Sequence, residues 1–365
     1  MDTKYEIVKY RPELKSQVVE LQTHLWSPDL DVNAAYLEWK YEQNPYSDTQ
    51  LIYMALHGEK VVGMMGMYGP RWQIGHSSQV LPVLCPGDLV VAPEHRRRGL
   101  FTRITETALN DLASGHTYAF TLDAGRTSLP GFLAMGWRSI GSLQTMYRES
   151  ISHRVSKYAG KRLFLSSAEK EHPFHSLDRN CEQRRLEISP CVSVQQTPRP
   201  EAMAELVERI GNDGRIRHVR NQQYFAWRFQ NPLSLYRFLF WEDARLEGYL
   251  ILQTSVYTDR VRVSIVDWEA NNMQVRADLL QAAIQRGNFV DLRTWSATLP
   301  PEAKTLLQNS GFNSLDETGS ITGSYSTVLV RPVHDEMLKA DWVFAGRRLL
   351  DLANWKLRMI YSDAY

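Results

Sequence analysis

The stretch Val90-Val91-Ala92-Pro93-Glu94-His95-Arg96-Arg97-Arg98-Gly99-Leu100-Phe101-Thr102-Arg103-Ile104 restricts the fold more than any other part of the chain. An apolar strand runs into a basic turn punctuated by glycine, and the turn opens directly into an amphipathic helix. The first N–H groups of such a helix have no partner inside it and face outward. With the helix dipole behind them and Arg96, Arg97 and Arg98 beside them, they make an anion site. Gly99 lets the backbone approach a phosphate without a Cβ in the way. The segment is built to hold a phosphorylated ligand. Neither G-x-G-x-x-G nor a P-loop sequence occurs in the chain, which sets aside the dinucleotide fold and the P-loop nucleotide-binding proteins.

Arg96-Arg97-Arg98-Gly99-Leu100-Phe101 resembles the acyl-CoA signature of the GNAT acyltransferases, Gln/Arg-x-x-Gly-x-Gly/Ala, with Phe101 in place of the small sixth residue. The resemblance implies that Val90, Val91, Arg96, Arg97, Arg98, Gly99, Leu100, Phe101 and Thr102 bind the donor. The order of elements is also similar to that family. A helix over 100–114 is followed by a strand Thr117–Leu122, and a loop from Asp123 leads to a short helix ending in Phe132-Leu133-Ala134-Met135-Gly136-Trp137. Upstream, Leu51–Leu56 and Lys60–Met67 read as a hairpin through His57-Gly58-Glu59. A strand Tyr5–Tyr10 and a helix from about Pro12 to Leu25 precede it. Residues 1–150 thus resemble a complete GNAT lobe.

The chain holds 365 residues, 43% of them hydrophobic and 23% charged, which suits a globular protein of about two domains. A formal charge of +1 argues against nucleic acid as a partner. Three cysteines, Cys85, Cys181 and Cys191, form no even framework and no C-x-x-C, so a cytoplasmic location is expected. Met1 leads into a polar strand and helix that do not read as a signal peptide, and no apolar run is long enough for membrane insertion. The ten histidines show no metal-ligand spacing, and no metal is expected.

An internal repeat accounts for the second half. Tyr36-Leu37-Glu38-Trp39-Lys40-Tyr41-Glu42-Gln43-Asn44-Pro45 is echoed by Tyr224-Phe225-Ala226-Trp227-Arg228-Phe229-Gln230-Asn231-Pro232. After the second copy come predicted strands Leu235–Trp241, Leu246–Gln253 and Val261–Trp268. A helix near Val275–Arg286, a strand Phe289–Trp295 and a helix ending at Gly311-Phe312 come next. The fold class expected is α/β (mixed α+β): two tandem GNAT-like lobes, each a mixed sheet flanked by helices. The boundaries are 1–150 for the first lobe, 151–190 for a connecting segment with structure of its own near Arg154–Leu165, and 191–331 for the second lobe. A tail over 332–365 reads as an apolar-faced helix that closes a cleft or makes a dimer contact, so the protein is expected as a monomer or homodimer.

Where the first lobe has its basic turn, the second reads Glu269-Ala270-Asn271-Asn272-Met273-Gln274-Val275, with no glycine. The donor is therefore placed in the first lobe alone. The repeated Trp-(Lys/Arg)-(Tyr/Phe) element reads as core, because aromatic stripes on helices are usually buried. Arg215-Ile216-Arg217-His218-Val219-Arg220 reads either as a face for an anionic acceptor or as a solvated edge.

The family resemblance implies attack of an amine on an acyl thioester. Backbone amides about Val91 are expected to polarise the thioester carbonyl where the strands Pro86–Val91 and Thr117–Leu122 splay. Deprotonating an ammonium acceptor needs a carboxylate or a histidine, and Asp88 and Asp123 are the candidate catalytic residues. Each has a structural alternative: Asp88 holding a turn after Pro86-Gly87, and Asp123 capping the short helix. Many GNAT enzymes carry a tyrosine acid four residues before the Gly-aromatic pair, a position that here is Phe132. Ser128, Thr127 or Tyr147 takes that role, or the thiolate leaves unassisted. Three functions stand: an acyl-CoA-dependent N-acyltransferase, with acetyl-CoA as co-substrate, acting on a small amine such as an amino sugar or amino acid; a FemAB-like transferase using aminoacyl-tRNA; and a non-catalytic acyl-CoA-sensing protein.

Overall fold

The computed structural model describes residues 5–47, 50–69, 71–125, 127–150, 174, 177–178, 191–256, 262–287, 289–315, 327–340 and 342–362. The expected structure near Arg154–Leu165 lies outside these residues.

Two seven-stranded mixed sheets form the frame. The first has the spatial order Tyr5–Lys9, Ile52–His57, Lys60–Tyr68, Val83–Val91, Tyr118–Ala124, Thr327–Pro332, Arg138–Ser142. The second runs Val192–Gln195, Ser234–Glu242, Leu246–Ser255, Arg262–Ala270, Asp291–Trp295, Thr145–Glu149, Asn313–Ser314. Each sheet has one parallel pair, Val83–Val91 with Tyr118–Ala124 and Arg262–Ala270 with Asp291–Trp295. A helix connects the strands of each pair, as a parallel connection requires: Leu100–Leu112 in the first and Met273–Arg286 in the second. The amphipathic helix Leu100–Leu112 buries Leu100, Ile104, Ala108 and Leu109 against the first sheet.

The sheets do not part where the sequence divides. After Arg138–Ser142, the edge of the first sheet, the chain crosses through Leu143-Gln144 and gives Thr145–Glu149 to the second sheet. Near the end of the second half, Thr327–Pro332 returns and inserts between Tyr118–Ala124 and Arg138–Ser142. Each sheet is thus completed by a strand of the other half. A smaller sheet adds a third link, pairing Trp72–Ile74 of the first half with Arg217–His218 of the second.

The repeated element lies at the junction. Helix Leu30–Leu37, capped by the Asp29 carboxylate on the Asp31 and Val32 amides, runs into a π-helical turn over Glu38–Glu42. The wider turn rotates three consecutive side chains inward, so Trp39, Lys40 and Tyr41 are all buried. In the second copy, helix Gln222–Arg228 is capped by Asn221. The two tryptophans stack face to face, Trp39 on Trp227, with ring centroids 4.9 Å apart and planes 10° from parallel. Each indole N–H donates to the other's backbone carbonyl, Trp39 Nε1 to Trp227 O at 2.9 Å and Trp227 Nε1 to Trp39 O at 2.7 Å. The reading of these aromatics as core holds, and the core they form joins the two halves.

The tail, expected as a helix, instead has 3-10 turns at Asp335–Lys339, Leu352–Asn354 and Met359–Tyr361 and a ribbon of Val343–Phe344 with Arg347–Arg348. Ala345 and Gly346 both take positive φ, +47° and +75°, and turn the ribbon back on itself. Trp342, Leu349, Trp355, Leu357 and Ile360 are buried in the core shared by both halves. Their spacing matches the surface they cover, with no helical period.

Trp39→Ala and Trp227→Ala should each destabilise the protein by about 3–5 kcal/mol, the cost of removing a buried aromatic ring. Each ring has contacts only the other supplies, so denaturant unfolding of the double variant should show a coupling of at least about 1 kcal/mol. Additive effects would remove the pair from its role in joining the halves.

Candidate functional site

The parallel strands of the first sheet part early. Val83–Val91 pairs with Tyr118–Ala124 only at Val83–Tyr118 and Leu84–Ala119, while its other edge stays zipped to Lys60–Tyr68 as far as Val91. From Cys85 onward a wedge opens between the two strands. Ala92 N–H donates to Val62 O on the zipped side, so strand alternation turns the Val91 groups toward the wedge. Arg96 Nε donates to Val91 O at 2.9 Å, which confirms that direction and fixes the start of the turn to the end of the strand. Val90 lies in register with Met64 and faces the ladder.

The turn is exposed and left-handed. Arg97 and Gly99 have φ of +61° and +71°, and Gly99 caps helix Leu100–Leu112. The first helical bond is Arg103 N–H to Gly99 O, so the amides ahead of it face out of the helix. A Cβ at Gly99 would project into open space, with nothing within 4 Å. Arg96, Arg97 and Arg98 are exposed around it. Phe101, the departure from the signature, turns its ring onto Gly131, where a Cβ would lie 2.2 Å from the ring, and meets Phe132 edge-on at 5.0 Å. The large residue is taken up by helix Leu129–Ala134 and leaves the turn open. Leu100 is buried beneath it, and Thr102 lies in the first helical turn. Phosphate oxygens fit this constellation of outward amides, unhindered backbone and three guanidinium groups.

Asp88 sits at the root of the wedge with φ of +52°. Its side chain is wholly buried. Oδ2 accepts from Lys40 Nζ at 2.9 Å and Tyr41 Oη at 2.6 Å, and Oδ1 from Trp26 Nε1 and Tyr36 Oη, both at 3.2 Å. Sequence reasoning singled out Asp88 but missed Lys40, Tyr41 and Trp26. The one signal was a lysine flanked by aromatics inside the repeated element. Asp123 lies one residue before the end of strand Tyr118–Ala124, and its side chain is outside the described residues. Phe132 is buried against Phe101 and Trp137. Ser128 precedes helix Leu129–Ala134 with Thr127 exposed beside it, whereas Tyr147 belongs to the second sheet, opposite Arg293 and Asn313.

The second sheet repeats the wedge and fills it. Arg262–Ala270 pairs with Asp291–Trp295 only through Ser264, then departs. Asn272 caps helix Met273–Arg286 by accepting from Val275 N–H, the end that glycine leaves open in the first lobe. Arg358 of the tail enters this wedge and donates to Trp268 O at 2.8 Å while pairing with Asp267 and Glu269. Arg220 bonds both acids, Arg276 lies 3.6 Å from Glu269, and Lys356 lies 3.5 Å from it. Burial pushes the Glu269 carboxyl up, but Arg358, Lys356, Arg220 and Arg276 together hold it well below its usual range. Glu269 draws the Lys356 amine up, and burial with Arg358 and Arg220 outweighs it, leaving a pKa of about 8. The basic run 215–220 is therefore no solvated edge: Arg217, His218 and Arg220 are buried.

Residues 9–138 match the family described as acetyltransferase (GNAT) domain. No curated protein matches the sequence. Among solved structures, a GCN5-related N-acetyltransferase from Anabaena variabilis superposes with a TM-score of 0.58 at 14% identity, covering 91% of this chain and 73% of its own. A GCN5-related N-acetyltransferase from Kribbella flavida gives 0.51 at 14% identity, over 90% and 72%. A tandem GNAT protein from the clavulanic acid biosynthesis pathway gives 0.53 at 12% identity, over 91% of this chain and 99% of its own. Among the described residues no group of three or more His, Cys, Asp or Glu could hold a metal ion, and no helix is long and apolar enough to cross a membrane.

His218, at the seam between the halves, donates through Nδ1 to Val219 O at 2.6 Å. Burial, opposed by that bond and reinforced by Arg220 and Arg228, lowers its pKa to about 3. An unfolded histidine titrates near 6.5. The stability that comes from keeping His218 neutral is complete above that value and lost as pH falls from about 6.5 toward 3. Thermal unfolding of His218→Phe should show a shallower loss of stability over this range than the wild type. An unchanged slope would assign the acid sensitivity to other groups.

Proposed function

We propose that this chain, whose residues 9–138 match the acetyltransferase (GNAT) domain and whose whole fold is similar to that of a tandem GNAT protein, is an acyl-CoA-dependent N-acyltransferase using acetyl-CoA on a small amine such as an amino sugar or amino acid. The observation that carries this reading is the opened wedge ending in the Gly99 turn, present in the first lobe and closed by Arg358 in the second. Acyl-CoA supplies a thioester carbonyl open to attack and a thiolate that leaves readily.

The residues divide the work by position. The outward amides at Gly99, Leu100, Phe101 and Thr102, with Arg96, Arg97 and Arg98, take the phosphates. Val90 keeps the strand zipped to its neighbour, and Val91 presents its N–H to the wedge, where a donor stabilises the charge that develops on an acyl oxygen. We assign the base to Asp123, near the end of the wedge's second strand, since Asp88 is enclosed by its own donors. Phe132 has no proton to give. An unassisted thiolate, or Ser128 at the head of the short helix, fills the place of an acid. The second lobe packs against the first and shapes the acceptor side.

Titration calorimetry with acetyl-CoA should show one site per chain, lost in Gly99→Glu, whose carboxylate would stand where the phosphates bind. Two sites would show that the Arg358 wedge opens. Failure of the wild type to bind would sink the acetyl-CoA reading in favour of carrier-protein or aminoacyl-tRNA donors. With an acceptor in hand, Asp123→Asn should lower kcat about 100-fold or more with little change in KM for acetyl-CoA. Retained kcat would move the base elsewhere.

A further inference from the structure

Asp88 takes a φ of +52°, a conformation non-glycine residues seldom adopt, in the middle of a buried strand. It belongs to a bulge. Met64 opposes Val90 and Gly66 opposes Gly87, so Asp88 and Leu89 face the single residue Met65. The bulge falls within the stretch where the strand has left Tyr118–Ala124, two residues ahead of Val90 and three ahead of Val91. A left-handed residue in a bulge re-aims the backbone downstream of it, and in this strand the downstream backbone carries the amides that face the wedge.

Trp26, Tyr36, Lys40 and Tyr41 all come from the N-terminal helical segment, and the π-helical turn brings Lys40 and Tyr41 inward together. Room for this has been made in the facing strand. A Cβ on Gly66 would lie 1.7 Å from Tyr41 Oη, so only glycine there admits the hydroxyl that reaches Asp88. The second lobe supplies an independent comparison. Asp267 stands in the matching strand beside a register shift at Ile251/Leu252 and accepts from Tyr249 Oη at 2.8 Å. Yet that wedge is filled by Arg358.

We propose that Asp88 is a positioning residue, and that the buried Asp88–Lys40–Tyr41 cluster locks the bulge so that the wedge amides aim at the acyl carbonyl. The proposal rests on the acyltransferase reading above. A single neutralised partner of a buried ion pair leaves the other charge stranded. Tyr41→Phe, which removes one hydroxyl and leaves the pair, therefore accompanies Asp88→Asn and Gly66→Ala.

The test compares calorimetric binding of acetyl-CoA with that of S-ethyl-CoA, the thioether that lacks the carbonyl. The wild type should prefer acetyl-CoA by about tenfold, one well-aimed hydrogen bond. In Tyr41→Phe, and in Asp88→Asn and Gly66→Ala where they fold, the preference should fall toward one, with S-ethyl-CoA affinity unchanged because the Gly99 turn is untouched. A preference kept at the wild-type value, a parallel loss of both affinities in Tyr41→Phe, or no preference in a wild type that binds both would each overturn the lock. A wild type that binds neither compound would overturn the acyl-CoA reading itself, and the lock with it.

Discussion

The stacked pair Trp39 and Trp227 is the contact on which the two-lobed arrangement depends. Each ring buries against the other, and each indole N–H satisfies the other's backbone carbonyl. The pair therefore settles two requirements at once: large apolar area is removed from water, and the buried polar atoms of both rings are bonded. The reciprocal form comes from the repeat. A symmetric junction between two similar lobes places the same residue of each against the other, as in an isologous dimer contact. Around this pair the halves trade strands, so the junction is continuous with both sheets and behaves as core.

From that symmetric frame the two lobes diverge by the occupant of one wedge. Both parallel pairs unzip after two or three residues, and both place an aspartate at the bend. In the first lobe, Lys40 pairs with the buried Asp88. In the second, Asp267 and Glu269 gather Arg220, Arg276, Lys356 and Arg358, and the tail comes in with the last two. Four cations surround two carboxylates in a buried place; Glu269 draws the Lys356 amine up, and burial together with Arg358 and Arg220 brings it down to about 8. A buried network of this kind contributes little net stability but strongly fixes one arrangement.

The local pattern was legible where periodicity and turn chemistry are strong. The strand–turn–helix at Gly99, the hairpin at Gly58 and the repeat about Trp227 all lie where the sequence places them. The exchanged strands were not legible, because Thr145–Glu149 and Thr327–Pro332 look like any strand and pairing partners leave no mark on a single sequence. The tail was misjudged for a similar reason. Its apolar residues track the shape of the two lobes, and a helical reading of Leu349–Met359 counts residues without knowing that surface. Lys40 and the run 215–220 carry charges, which suggest solvent until a buried partner is known.

Phe101 and Phe132 show how one departure from a signature depends on another. A large sixth residue in the turn needs a place for its ring, and Gly131 with the face of Phe132 provides it. A tyrosine at 132 would set its hydroxyl in a nest of aromatic rings formed with Phe101 and Trp137, where burial without a partner costs free energy. The ring of Phe132 is the surface that lets the turn keep its open backbone with a phenylalanine at 101. The two changes belong to one packing solution, in which the Gly99 turn keeps its open backbone and no hydroxyl is buried among the rings.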